Sequence, residues 1–252
     1  QPRFLNAAAV GSWDGGASWQ RKTEQDGLPA GDLGRISFAP SPARRGRVYA
    51  LVEAEKSAML RSDDGGESWI RTNEDHDIAI RPFYYTEVAA DPDNADRVYN
   101  IASLLSMSLD GGKTFELNPV IACCAPSNTI HIDNHAFWIN PADSRHLIIG
   151  NDGGIAISRD RGETWRFVRN LPLSQFYHIA VDDDLPYNVY GGLQDNGSWR
   201  GPAEVWENAG IRNLHWQEVG FGDGFDTLPD PQNSRQGYAM AQGGYLMRWN
   251  LD

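Results

Sequence analysis

The sequence predicts an all-β chain assembled from four-stranded antiparallel sheets. Three observations predict it. An octapeptide with an Asp-Gly centre occurs four times. A second turn, rich in Pro and Asp, occurs five times between and after those copies. Helical periodicity is nowhere sustained along the 252 residues.

The octapeptides are SWDGGASW (12–19), SDDGGESW (62–69), SLDGGKTF (108–115) and SRDRGETW (158–165), with starts 50, 46 and 50 residues apart. All four read Ser-x-Asp-x-Gly-x-Ser/Thr-Trp/Phe, and a fixed period of this length marks a repeated supersecondary unit. The fixed positions are Ser12, Asp14, Gly16 and Trp19; Ser62, Asp64, Gly66 and Trp69; Ser108, Asp110, Gly112 and Phe115; Ser158, Asp160, Gly162 and Trp165. Gly supplies positive φ and Asp bonds nearby backbone N–H groups, so the octapeptide makes a hairpin tip. The flanking AMLRS and IRTN alternate like strands. The terminal aromatic residue is expected to fold inward between neighbouring sheets. The four Asp residues are therefore read as structural, not catalytic.

The second repeat comprises APSPARRGRVYAL (39–51), DPDNADRVYNI (91–101), NPADSRHLIIG (140–150), DDDLPYNVYGG (182–192) and PDPQNSRQGYAM (229–240). Each joins two short apolar runs through Pro and Asp/Asn. Together the repeats give a four-strand unit a-b-c-d, with full units at about 32–73, 83–118, 134–168 and 176–219. Units of this size and strand number are the blades of a β-propeller. Residues 4–23 supply strands c and d only, and 224–252 supply a, b and c only. Five strands with c duplicated do not close one blade, so the chain is expected to be a single propeller segment of a larger propeller.

Composition narrows the partner classes. Hydrophobic residues make up 40% and charged residues 22%, which is globular. A net charge of −12 without a basic stripe argues against nucleic acid or an anionic membrane as partner. No apolar run has the length of about 20 residues that a membrane span needs, and QPRFLNAAAV at the start has no signal-peptide pattern. Cys123 and Cys124 are adjacent and cannot staple distant parts of the fold; they are expected to be two free thiols.

At these residues the chain resembles the Asp-box (BNR-repeat) propellers, sortilin-like and related bacterial proteins labelled glycosyl hydrolases. Beyond the boxes the resemblance includes RPFYY (81–85), HIDNHAFWINP (131–141), GNDGG (150–154), LPLSQFY (171–177), GGLQDNGSW (191–199) and GDGF (222–225). Sialidases, sortilins and xyloglucanases all carry such boxes, so the resemblance implies architecture and not one activity. A sialidase-like arginine triad and a two-propeller xyloglucanase cleft are not seen. The resemblance also implies an extracytoplasmic location, periplasmic or secreted.

In an a-b-c-d meander the a–b and c–d turns share one end and the b–c and d–a loops the other. The end opposite the boxes therefore receives the remaining motifs. They are Arg81 and Tyr84; Asp133, His135 and Trp138; Gln175 and His178; Gln194, Asn196 and Trp199; and Asp226, all read as ligand-binding candidates. Asp152, Asp195 and Asp223 come from consecutive units and are expected on one rim. Two of them at about 6.5–9.5 Å would suit general acid and base on a glycosidic bond, one raised in pKa by Trp138 or Trp199. Turn chemistry and ligand or ion binding are the competing readings of the same NDGG and QDNG stretches. Alternation places His131, Asp133 and His135 on one side of an extended strand, which suits a metal given another ligand. A hydrogen-bond network at the channel mouth is the preferred reading, so no cofactor is expected. RRGR (44–47) and EDHDIAI (74–80) read as solvated turns.

Two function classes follow. The first is a binding or scaffold module that recognises a protein subunit or glycan, in contact also with the rest of a longer propeller chain. The second is a glycoside hydrolase with Asp152, Asp195 and Asp223 as acid and base, and with Tyr84, Trp138, Phe176, Trp199 and Phe221 placed to stack on sugar rings.

Overall fold

A computed structural model describes residues 7–118, 130–171 and 173–252. Cys123 and Cys124, and the first three residues of the expected partial blade at 4–23, lie outside the described residues. Among the described residues the fold is all-β: six antiparallel sheets connected by turns and by 3-10 segments of three or four residues. The chain divides into two compact units, Gln1–Phe167 and Val168–Asp252.

The first unit opens with the pair β1 (Val10–Gly11) and β2 (Gln20–Arg21). Three four-stranded meanders follow. The first is β3 (Ile36–Pro40), β4 (Val48–Val52), β5 (Ala58–Ser62) and β6 (Ile70–Asn73). The second is β7 (Glu87–Ala90), β8 (Val98–Ile101), β9 (Leu105–Ser108) and β10 (Glu116–Leu117). The third is β11 (Asn134–Ile139), β12 (Leu147–Asn151), β13 (Gly154–Ser158) and β14 (Arg166–Phe167). The second unit holds a fourth meander, β15 (Phe176–Val181), β16 (Asn188–Leu193), β17 (Ser198–Pro202) and β18 (Gln217–Gly220). It ends in a three-stranded sheet, β19 (Gly224–Asp230), β20 (Asn233–Ala241) and β21 (Tyr245–Asn250). A four-strand up-and-down sheet is the blade of a β-propeller.

The first octapeptide joins β1 to β2, the other three form the turns between the third and fourth strands of the first unit's meanders, and one hydrogen-bond set recurs in all four. The Ser Oγ donates to the Asp carboxylate at 2.7–2.8 Å and accepts the N–H of the Gly four residues on at 2.8 Å. The other carboxylate oxygen accepts the Ser/Thr hydroxyl four residues on, at 2.5–2.8 Å. These donors hold Asp14 and Asp64 well below the ordinary carboxylate range. At Asp110 burial pushes the other way, but the bonds from Thr114, Ser108 and Lys113 prevail and bring it to about 2.

Burial explains the aromatic anchors. β4 buries Ala50 and Val52 in one cluster with Trp69, Leu28 and Leu33, and Tyr49 and Leu51 in another with Met59, Val88 and Val98. Its run VYALV is covered on both faces, which only layered sheets provide. Phe115 packs back onto the Tyr49–Met59 cluster, and Trp165 onto Tyr99, Ile101 and Leu105. Each anchor thus ties its sheet to the preceding one. Trp19 differs, with 64% of its surface exposed, because its strand pair β1–β2 offers no such neighbour among the described residues.

Candidate functional site

One backbone contact recurs at the b–c loops of three sheets, one in the first unit and two in the second. The Asp152 N–H donates to the Asp133 carbonyl at 3.3 Å, Gln194 to Gln175 at 3.2 Å and Gln242 to Asp223 at 3.0 Å. The partners are nineteen residues apart each time (133 and 152, 175 and 194, 223 and 242). The b–c loop of each sheet is thereby pinned to the residue that enters its first strand. Just beyond, the first strand is irregular in all three sheets, with register shifts between Asn134 and Ala136, Phe176 and His178, and Gly224 and Thr227. A bulge re-aims the side chain it carries. Here it carries His135, Tyr177, and Phe225 with Asp226.

In the first unit these devices build a compact cluster. His135 Nε2 lies 2.8 Å from Asp152 Oδ1. The His135 ring stands edge-on to Tyr84 at 5.5 Å and tilted to Tyr85 at 5.2 Å. The Arg81 guanidinium covers both tyrosines, at 5.4 and 5.2 Å. Tyr84 is half exposed, while Tyr85 is buried. Burial pushes the Tyr85 phenol up, and the Asp133 and Asp152 carboxylates reinforce the shift. Asp133 also accepts the Ser103 hydroxyl at 2.5 Å. Arg81 and Asp133 have positive φ (54° and 63°), a conformation side chains rarely take without surrounding contacts.

This corrects the strand-alternation reading of His131, Asp133 and His135. The strand begins only at Asn134, Asp133 sits in a left-handed turn, and the bulge at His135 shifts the parity. His131 Nδ1 lies 2.7 Å from the Ile132 carbonyl oxygen, Asp133 is taken up by Ser103 and Tyr85, and His135 meets Asp152. Each of the three side chains thus engages a partner outside the other two. Trp138 is also displaced from its expected role. It pairs with Ile148, at the octapeptide end of β11, and packs edge-on to His146 at 5.4 Å, so it does not desolvate Asp152.

In the second unit, His178 Nδ1 lies 2.7 Å from Asp226 Oδ1. Tyr177 stacks on Phe225 with centroids 4.8 Å apart and planes 2° from parallel. Asp223 accepts the Asp195 N–H at 3.0 Å, and Asp195 has φ 58°. Burial and the nearby Asp223 and Asp195 push the Tyr177 phenol up. Asn196 donates to the Gln194 carbonyl at 2.9 Å and its own carbonyl accepts the Trp199 indole N–H at 2.6 Å. Trp199 therefore ties the QDNG turn together. Gly192 allows β16 to lie against the next sheet: a Cβ there would meet Gly224 C and Phe225 O at 2.2 Å.

Sequence reasoning did not find Tyr85, Ser103, Tyr177, Phe225 or Glu218. Tyr177 and Phe225 were within reach, because each follows its pinned residue by two positions, as His135 follows Asp133. Glu218 carries no motif. Its carboxylate lies against Gly197, and burial pushes its carboxyl up although the residue as a whole is exposed.

No family model matches the chain. It is 26% identical over 148 residues to the oligoxyloglucan-reducing end-specific xyloglucanase of Emericella nidulans, covering 52% of this chain. The chain spans 18% of that relative's length. Among solved structures it is similar to a GH74 xyloglucanase from Xanthomonas campestris, with 15% identity, TM-score 0.42, and 84% of this chain and 38% of that one covered. The GH74 enzyme of Niastella koreensis gives 18% identity and TM-score 0.41 over 81% of this chain and 33% of that one. YCF48 bound to a D1 peptide gives 17% identity and TM-score 0.37 over 98% of this chain and 88% of that one. These are likenesses of fold. No helix among the described residues is long and apolar enough to cross a membrane.

Proposed function

We propose that the chain is a recognition segment of an Asp-box (BNR-repeat), sortilin-like propeller protein that works outside the cytoplasm. It binds a protein or glycan partner through the loop end opposite the octapeptides. One observation carries this reading. The carboxylates of these loops are committed to internal partners: in the first unit Asp133 to Ser103 and Tyr85 and Asp152 to His135, and in the second unit Asp223 to the Asp195 amide and Asp226 to His178. The groups they hold present aromatic and polar surface: Tyr84 is 50% exposed and Tyr177 39%. Rigid aromatic faces beside anchored polar groups suit binding without reorganisation. The positions bearing this role are Arg81, Tyr84 and His135 in the first unit, and Gln175, Tyr177, His178, Gln194, Asn196 and Asp226 in the second, each unit taken by itself.

The second reading is glycoside hydrolysis, and the relation to a xyloglucanase over 148 residues favours it. In that reading Glu218, with its raised carboxyl, joins Asp195 and Asp223 as a candidate proton donor. One experiment separates the two. The protein is offered a panel of polysaccharides, including xyloglucan, and of extended peptides, with binding and release of reducing ends measured together. Saturable binding without new reducing ends supports recognition. Turnover that disappears in Asp195→Asn, Asp223→Asn or Glu218→Gln overturns it in favour of hydrolysis.

A further inference from the structure

Within the first unit, two polar clusters tie neighbouring meanders together at the octapeptide end, and they differ in charge. Between the first and second meanders, the Tyr49 hydroxyl donates to the Ala95 carbonyl at 2.6 Å and Arg47 Nη1 donates to Asp96 Oδ1 at 2.7 Å. The Gly111 amide donates to the Asp96 carbonyl at 2.9 Å. A Cβ at Gly111 would lie 3.2 Å from Asp96 Oδ1 and 3.5 Å from the Tyr49 hydroxyl. Between the second and third meanders the same backbone contact runs from the Arg161 amide to the Arg145 carbonyl at 3.0 Å. The matching side chains there are Arg97 and Tyr99 on one side, and Ser144, Arg145 and Arg161 on the other.

Two exchanges distinguish the second cluster. Arg145 stands where the first has Asp96, and its guanidinium turns to Asp143 at 2.8 Å, so a carboxylate acceptor is lost. Arg161 stands where the first has Gly111, with φ 65°, while Gly15, Gly65 and Gly111 take 74°, 82° and 75° in the other octapeptides. A left-handed backbone disfavours any side chain, so an arginine held there points to a task for its guanidinium. Arg161 Nη2 donates to the Oγ of the fully buried Ser144 at 3.2 Å. Its Nε is buried without an acceptor among the described residues, as are Arg97 Nε and the hydroxyl of Tyr99, a residue 1% exposed. Burial and Asp91 push the Tyr99 phenol up to about 12 against the opposing pull of Arg97 and Arg161, so it remains a donor beside two cations. Arg97 pairs with Asp91 at 3.0 Å and Arg145 with Asp143, which leaves Arg161 with no carboxylate partner among the described residues.

We propose that Arg97, Tyr99 and Arg161 bind a small inorganic anion of chloride size between the second and third meanders. The anion takes the part that the Asp96 carboxylate plays between the first two. It accepts from the two Nε–H groups and the phenol, and it balances the charge of Arg161. A water molecule offers two lone pairs to three donors and leaves that charge uncompensated, which is costly away from solvent. Burial of all three donor atoms suits a monatomic ion and not a phosphate. The site lies at the octapeptide end and is distinct from the recognition site proposed above.

The test compares the whole chain in sodium chloride and in sodium gluconate of equal ionic strength. Chloride binding is read directly from the broadening of the chloride NMR line, and its linkage to folding from thermal melts. Wild type should show saturable broadening and melt about 2–4 °C higher in chloride. Arg161→Gly restores the residue that the other octapeptides carry, so the fold is kept while a donor and its charge are removed. That variant should lose both the saturable broadening and the chloride shift. Tyr99→Phe, which removes one donor and no volume elsewhere, should weaken chloride binding about tenfold. A wild type without a saturable chloride response overturns the proposal, and water then serves the three donors. An equal response in Arg161→Gly, or unchanged affinity in Tyr99→Phe, overturns it as well, because the ion then binds elsewhere.

Discussion

Replacing Arg47 should weaken the first unit more than any exposed arginine does. Its side chain is 2% exposed, yet it carries a full charge between two carboxylates. Nε donates to Asp63 Oδ1 at 2.5 Å, and Nη1 donates to Asp96 Oδ1 at 2.7 Å, to the Tyr49 hydroxyl at 3.0 Å and to the Ala95 carbonyl at 3.2 Å. These bonds join the start of β4 to its own octapeptide and to the turn before β8 in the next sheet. Charge-assisted bonds contribute about 1.5–3 kcal/mol each. Two things reduce the loss. Asp63 keeps Arg61 and Arg44 at 3.2 and 3.7 Å, and Asp96 is 55% exposed and regains water. Relief of the arginine's own desolvation offsets a further part. We expect Arg47→Met to cost about 2 kcal/mol and to lower the melting temperature by about 4–8 °C at this chain length.

Acid supplies an internal check on that figure. Burial pushes the Asp63 carboxyl up, but bonding and attraction from Arg47, with Arg61 and Arg44, hold it below its ordinary 3.8. A depressed carboxyl contributes fully above its unfolded value and loses that contribution as pH falls through the folded one. The gap between wild type and Arg47→Met should therefore be constant near neutrality and shrink below about pH 4. Thermal melts followed by circular dichroism across that range measure both quantities. A variant as stable as wild type at neutral pH, or a gap that widens in acid, would refute the reasoning.

Four further outcomes follow from the same structure. Asp64→Ala removes the acceptor for Ser62 and for the Ser68 amide and hydroxyl, and should cost about 1–2 kcal/mol by analogy with loss of a helix cap, with Trp69 emission shifting red in intrinsic fluorescence. Because Asp110 is lowered to about 2, the Thr114 amide should stay protected as pH falls past 3.8 and lose protection only as it approaches that lower value, which exchange measured by NMR reads directly. Gly192→Ala forces the backbone at Gly224 and Phe225 to move and should cost about 1–3 kcal/mol or more, seen as a lower urea midpoint for the second unit. Tyr84→Ala leaves the buried Tyr85 in place and should weaken partner binding about three- to tenfold without a change in melting temperature, measured by calorimetry.

The legible part of this protein was local. Ser, Asp, Gly and Trp at fixed offsets specify a turn whose bonds all close within five residues, so the sequence alone locates the octapeptides and the strands around them. Short apolar runs bounded by Pro, Asp, Asn and Gly do the same for many of the strands from β3 to β21, because strand propensity and turn chemistry are local properties of the chain. Trp138 and the HIDNH stretch show where that reading stops. Whether an indole meets Asp152 or His146 depends on which strands pair, and a single bulge at His135 reverses the parity on which alternation depends. The site is made of such events: Tyr85 lies under His135, and Tyr177 lies on Phe225, 48 residues away in the chain. Sequence determined the turns and the blade-type sheets; only the packing of sheet on sheet decided which side chains share a surface, since contacts between distant residues are set by register and burial and leave no local mark.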